Sequence, residues 1–404
     1  MPRWLYPLLI AVPFAVAGAA AGWAPLLVFA LSAIALVPLA GLIGAATEAL
    51  AHRVGPVIGG LLNATFGNAA ELIIGISALA AGLNDVVRAS IAGSVIGNSL
   101  LVLGTSMLLG GWRYQLQRFN ARDAGQYASL LAIAVVGLVV PTIVALLGGG
   151  LRQGQDTPTT GQVQTLSMVV AVLLLISYVA YLAHAVFGVR AGREPTGDPS
   201  AAETGRGADE APSPAAPGGT RATVETARVA GADAKAWEAA AGWGPAWLRM
   251  DSSPAAAIGW LAAATVLTAI MSETLVGAIE PVAHEVGLSA FFIGLIVIPI
   301  VGNAAEHSSA VTMALRNNMD TAMAITAGSA IQVALFVAPV LVLVSVFVGH
   351  PLPFVFIPLE LAIFALVALL YALISLDGES TWLEGLLLLV FYVIVGAAAF
   401  FVPV

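Results

Sequence analysis

Apolar stretches of about twenty residues recur along nearly the whole chain, separated by short turns that carry most of the charge. Regular alternation of apolar and polar positions, the mark of a strand with one wet face, is not the pattern. The stretches therefore predict membrane-crossing helices and not the strands of a barrel. Eleven spans are expected, near 5–23, 24–50, 57–81, 86–111, 124–148, 164–188, 253–279, 288–315, 320–347, 352–374 and 383–403. The first also fits a secretory signal peptide, with Arg3 ahead of an apolar run and small residues at 18–22. Removal of a signal would leave ten spans and the same core.

Composition excludes a soluble domain: 59% of the 404 residues are hydrophobic and 9% charged, and mean hydropathy is +0.96. Alternate loops, assigned to opposite sides with the N-terminus inside, place all but Arg88 and Arg152 of the fifteen Lys and Arg residues in the cytoplasm. That asymmetry supports both the span count and the direction. Without cysteine, disulfides and thiolate metal ligands are excluded. Basic residues are almost all Arg and the chain is rich in Ala and Gly, which points to a GC-rich genome and a bacterial inner membrane.

Residues 194–220 combine Pro, Gly, Ser and charge with almost nothing large and apolar, so they cannot bury enough surface to fold. They belong to a flexible cytoplasmic linker, 190–250, in which 221–243 has helical composition and suits either a surface helix or a plain tether. On either side of it the chain repeats itself. Gly67-Asn68-Ala69-Ala70-Glu71 returns as Gly302-Asn303-Ala304-Ala305-Glu306, 235 positions on (306 − 71). The same offset relates Asp85 to Asp320, Ala89 to Ala324, Gly93-Ser94 to Gly328-Ser329 and Ile96 to Ile331. The expected organisation is a helix at 1–23, a five-helix unit at 24–189, the linker, and a second five-helix unit at 251–404. An odd number of spans per unit makes the copies inverted, an architecture of secondary transporters that bind substrate between the copies near the midplane.

A carboxylate at bilayer depth costs several kcal/mol unless paired, protonated or bound to a cation. Glu71 and Glu306 fall mid-span, Glu273 and Glu360 within spans, and Glu48 near a helix end. Asn68 precedes Glu71 by three residues, as Asn303 precedes Glu306, so each amide shares a helical face with its carboxylate. In the partner spans Ser94 and Asn98, and Ser329 and Gln332, also share faces. The resulting all-oxygen shell suits a hard divalent cation, calcium or nearly as well manganese. Such a pair of glutamates can be neutralised by the cation or by protons, not by both, and that competition is an exchange rule. His307, beside Glu306, is either a proton relay or a packing histidine. Glu48 and Glu273 mirror one another across the membrane if ten residues are inserted in the second copy, which suits a gating or proton-linked role. No cofactor is expected. His284-Glu285-Val286-Gly287-Leu288 starts like a zinc protease motif but has Leu at the second ligand, and no phosphate-binding loop is found.

On these residues the chain resembles the calcium/proton antiporter (cation exchanger) family of the cation/calcium exchanger superfamily. The resemblance rests on NATFGNAAELIIG around Glu71, GNAAEH at 302–307, GSAIQVALFVAP at 328–339 and DGESTWLEG at 377–385, and it covers most of the chain. It implies one helix plus five plus five, calcium coordination at Glu71 and Glu306, supporting roles for Asn68, Asn98, Asn303, Gln332, Ser94 and Ser329, and proton-linked or gating roles for Glu48 and Glu273. Family members often carry an acidic segment between the halves; 190–250 mixes acids with Arg instead. The function expected is exchange of cytoplasmic Ca2+ for external protons. The alternatives are sodium/calcium or manganese exchange in the same superfamily, a passive calcium channel in which the glutamates form a selectivity ring, and a structural membrane protein, which would leave unpaired mid-span carboxylates unexplained.

Overall fold

The computed structural model describes residues 3–54, 56–150, 160–187 and 253–401. The linker 190–250, with its 221–243 segment, lies outside them. Fourteen helices account for nearly all of the described chain: α1 (Leu5–Ala20), α2 (Pro25–Val54), α3 (Pro56–Phe66), α4 (Ala69–Ala80), α5 (Asn84–Tyr114), α6 (Ala121–Gly150), α7 (Thr160–Phe187), α8 (Pro254–Gly277), α9 (Ile279–Val286), α10 (Ala290–Gly302), α11 (Ala304–Leu315), α12 (Met319–Val348), α13 (Pro358–Ile374) and α14 (Trp382–Phe401). Their starts follow local chemistry. Ser253 accepts a hydrogen bond from the Ala256 amide (3.1 Å) just ahead of Pro254, and Ser289 caps α10 through the Phe292 amide (3.0 Å). Gly287 and Gly349 end α9 and α12 in the left-handed region, φ 74° and 85°.

Among the described residues seven helices are long and apolar enough to cross a membrane alone, and α9 with α10 add an eighth bent by 117°. Three expected spans are built differently. That at 57–81 is broken at Gly67–Asn68 and that at 288–315 at Asn303, each into two shorter helices. Of the span at 352–374 only 358–374 is helical, because Pro351, Pro353 and Pro358 remove amide donors and push the residues before them toward extended backbone.

Large apolar side chains such as Ile133, Val136, Leu173, Ile176, Val179 and Val393 stand exposed along the outward faces of α6, α7 and α14, as a lipid-facing belt requires. Inside, α2 packs along α8, and α5 is among the most enclosed helices. Where α5 meets α10 the backbones nearly touch: a Cβ on Gly93 would lie 2.0 Å from the Leu295 carbonyl oxygen. Glycine is required there for the approach itself.

The turns sort to two ends. At one, β1 (Leu116–Arg118) pairs antiparallel with β2 (Glu379–Thr381), and Gln117 donates to the Ala314 carbonyl (2.8 Å) and Asn317 Oδ1 (3.1 Å). At the other, Asn84 Nδ2 donates to the Pro351 carbonyl (3.1 Å), opening an extended strap at 351–357. This strap sinks about two helical turns below the end of α6, burying Leu352, Phe354 and Phe356. Its amides find side-chain acceptors instead of a sheet: Leu352 on Ser345 (2.9 Å), Phe354 on Ser167 (3.0 Å), Phe356 on Thr142 (3.0 Å) and Ile357 on Glu360 (2.9 Å). Thr142 also donates to the Phe354 carbonyl (2.9 Å). Irregular backbone survives among apolar helices only when satisfied in this way.

Candidate functional site

Each signature glutamate stands in the first turn of a helix that restarts after a break. Asn68 (φ −103°, ψ 19°) precedes α4 and Asn303 (φ −91°, ψ 15°) precedes α11, both in the sparsely populated bridge region. Restarting a helix aims the positive end of its peptide dipoles at the carboxylate in its first turn. Glu71 packs against the other break: a Cβ on Gly302 would lie 3.6 Å from Glu71 Cγ and 3.8 Å from its Oε1. The Glu306 carboxylate is close enough to repel that of Glu71. Both Glu71 oxygens are buried and neither has a hydrogen-bond partner from another residue.

Three polar pairs tie the two halves together around these breaks. Asn68 Nδ2 donates to Gln332 Oε1 (2.5 Å), Asn98 Nδ2 to Ser329 Oγ (2.8 Å) and Asn303 Nδ2 to Ser94 Oγ (3.4 Å). Asn98 lies in a π-helical stretch of α5, Gly97–Val102, and Gln332 immediately precedes one in α12, Val333–Val337. Such wide turns re-aim side chains inside an otherwise regular helix. With the amide donors spent on these pairs, Asn98 Oδ1, Asn303 Oδ1 and both carboxylate oxygens of Glu71 are buried and left without donors. A set of acceptors with nothing to accept is what a hard cation requires.

A cavity of about 10 Å³, room for one water-sized centre, adjoins Glu71 and is walled by Ser90, Ser94, Gly302 and apolar side chains including Ile74 and Leu341. It extends from Glu71 toward the end that carries the turns at 81–83 and 349–350. Glu306, half-buried, is not in its wall. Among the described residues no three His, Asp or Glu gather closely enough to hold a metal.

The remaining candidates scatter. His307, half-buried, follows Glu306 on α11, its amide bonded to the Asn303 carbonyl (3.0 Å). Glu48 is half-buried on α2 and engaged with neighbours, while Glu273 on α8 is exposed. α2 packs on α10 and α11, and α8 on α4, so each leading helix lies against the opposite motif. Ser90 was missed by sequence reasoning, although its spacing of four from Ser94 puts it on the same face. Thr47 and Ser272 were missed too. Both are fully buried hydroxyls without partners, each just before a candidate glutamate.

Helices broken opposite one another around two acids are the kind of arrangement that polytopic ion transporters use. The family described as "Sodium/calcium exchanger protein" matches residues 24–187 and 256–401, and the chain belongs to it. It is 40% identical over 399 residues to the Ca(2+)/H(+) antiporter of Aphanothece halophytica, covering 99% of this chain and 96% of that one. It is 38% identical over 390 residues to the Ca(2+)/H(+) antiporter ChaA of Bacillus subtilis, covering 96% of each. The structure of native YfkE superposes with a TM-score of 0.72 at 35% identity, covering 98% of this chain and all of that one. The H+/Ca2+ exchanger CAX shares the fold, with a TM-score of 0.65 at 13% identity, covering 98% of this chain and 91% of that one. The chain is an integral membrane protein, and these relatives are named as antiporters.

Proposed function

We propose that this protein exchanges cytoplasmic Ca2+ for external protons by alternating access at a site formed by Glu71 and Glu306. The observation that carries the reading is the Glu71 carboxylate, buried without a partner, packed on Gly302 and facing the charge of Glu306. Two like charges in a poorly polar interior are stable only when neutralised, and one Ca2+ or two protons does so. An empty, ionised site cannot cross to the other side cheaply, so the carrier reorients loaded, and exchange follows. Oxygens of Asn68, Asn98, Asn303, Gln332, Ser94 and Ser329 complete the shell for calcium or manganese, and their cross-half pairs hold the breaks together while the site is empty.

In this reading the copies at 24–189 and 251–404 form two inverted five-helix units after an N-terminal helix, eleven in all, joined by a cytoplasmic linker at 190–250. The N-terminus faces the cytoplasm of a bacterial inner membrane, and Glu48, Glu273 and His307 serve gating or proton transfer. The names of the relatives support proton coupling, and the positive-inside distribution supports the direction.

The test is calcium uptake into sodium-free proteoliposomes under an imposed proton gradient. Uptake is expected in the wild type and at background in Glu71→Gln or Glu306→Gln. Uptake that needs sodium would establish the sodium/calcium alternative. Gradient dissipation without proton coupling would establish a channel, and uptake surviving in both variants would refute the paired site.

A further inference from the structure

We propose that Glu360 is a second proton-exchanging carboxyl, remote from the paired glutamates, which shares the Arg88 guanidinium with Asp85. The inference rests on the proton-coupled reading of the chain. It places a proton acceptor at the end of the molecule that the charge distribution assigns outward.

Glu360 lies in the first turn of α13, where the strap ends, and is only 2% exposed. Its Oε2 accepts the Ile357 amide (2.9 Å), which accounts for its part in capping the helix. Its Oε1 is buried with no partner, and capping does not account for that. Across from it, α5 presents Asn84 and Arg88, one turn apart on one face. Asn84 holds the strap through the Pro351 carbonyl, and its own Oδ1 is a second buried acceptor without a donor. Arg88 is bonded to Asp85, and both act electrostatically on Glu360.

One guanidinium is thus bonded to Asp85 and acts electrostatically on Glu360, two carboxylates in unlike surroundings. The Asp85 side chain is 63% exposed, so water replaces Arg88 if it leaves. Glu360 has no water to turn to. An orphaned oxygen of a buried carboxylate is costly, and only two changes cure it here: Arg88 crosses to Glu360, or a proton binds Oε1. The two are mutually exclusive occupants, so movement of Arg88 and loading of a proton are linked. The linkage reaches the central site because Ser90 and Ser94, in the cavity wall beside Glu71, follow Arg88 within two turns of the same helix.

Among the described residues, the half of α6 packed against this part of α13 carries no titratable side chain, nor does the strap. His350, just before the strap, packs against Gly82.

The experiment uses the full-length protein in sodium-free proteoliposomes and measures proton-driven calcium uptake against pH, alongside pH-difference infrared spectra of the purified protein. Glu360→Gln keeps an acceptor for the Ile357 amide. It is expected to retain uptake, lose one inflection of the pH profile and lose one protonated-carboxyl band that persists in a Glu71→Gln, Glu306→Gln double variant. Asp85→Asn frees Arg88 and is expected to displace that inflection by about one pH unit while keeping the band. A profile and band unchanged in Glu360→Gln would overturn the proposal. If that variant fails to fold, an unmoved profile in Asp85→Asn does so. Absence of proton-driven uptake in the wild type would sink the exchange reading instead, and the band would still decide Glu360.

Discussion

Glu71 and Glu306 occupy the same place in two copies of one motif, yet the fold houses them differently. Both are half-buried as residues, but Glu71 lies against Gly302 with both oxygens buried and unpartnered and a small cavity at its side, whereas Glu306 is outside that cavity's wall. The glycines that follow diverge as well. Gly93 is jammed against the α10 backbone, while Gly328, 235 positions later (328 − 93), has open space where a side chain would go. So do the segments after α5 and α12: 116–118 pairs with another strand, and 351–357 borrows hydroxyls from α6, α7 and α12. In the exchange reading proposed above, matched motifs in unlike surroundings suit an alternating carrier, since each conformation must treat the copies unequally and the reverse conformation must exchange their roles.

Substitutions at matched positions sharpen or break this contrast. The largest effect is expected at the acids, where Glu71→Gln and Glu306→Gln each remove one of two neutralisable charges. Both should abolish transport despite their unlike surroundings, and a variant that still transports at wild-type rate in the liposome assay would show that only one acid carries the ion.

Next comes packing. Gly93→Ala should destabilise by about 3 kcal/mol, because the methyl overlaps backbone that cannot retreat, whereas Gly328→Ala should stay within about 0.5 kcal/mol. Thermal unfolding in detergent reads both, and equal losses would mean that the copies are packed alike.

Thr142→Val should cost about 2 kcal/mol by stranding the Phe356 amide and the Phe354 carbonyl, and Ser167→Ala, which strands one amide, about half as much. Hydrogen exchange at 352–357 is the readout, and protection unchanged in Thr142→Val would show that the strap is held by packing alone. The smallest effect is expected from Gly302→Ala. Its methyl would meet Glu71 at ordinary contact distance, so a few-fold loss of calcium affinity with normal folding is expected, measured by concentration dependence of uptake. Gly67→Ala makes the matched control, since its Cβ would instead meet the Asn63 carbonyl at 2.6 Å.

Much of the candidate site was legible in advance because a carboxylate within an apolar span is costly enough to stand out, and duplication singled out two of the acids as a matched pair. The breaks were readable only as a permission, from glycine before asparagine. Where three expected spans proved interrupted, hydropathy had averaged over the breaks: one asparagine, or a proline-rich run that is itself apolar, hardly alters a twenty-residue window. Glu360 passed as one more acid within a span, since nothing near it in the chain announces Arg88 on another helix.

The sequence by itself determined a helical membrane protein, its duplicated motif and the oxygen chemistry of its signature residues, because transfer from water and helical spacing act over one or two turns of chain. Only the tertiary structure decided that Asn68 meets Gln332 and Asn303 meets Ser94, that Glu273 faces outward while Ser272 is buried, and that one glycine of an equivalent pair bears the close approach. Those contacts join residues more than two hundred positions apart. They follow from how two halves settle against each other, and no local pattern of hydrophobic and polar residues carries that information.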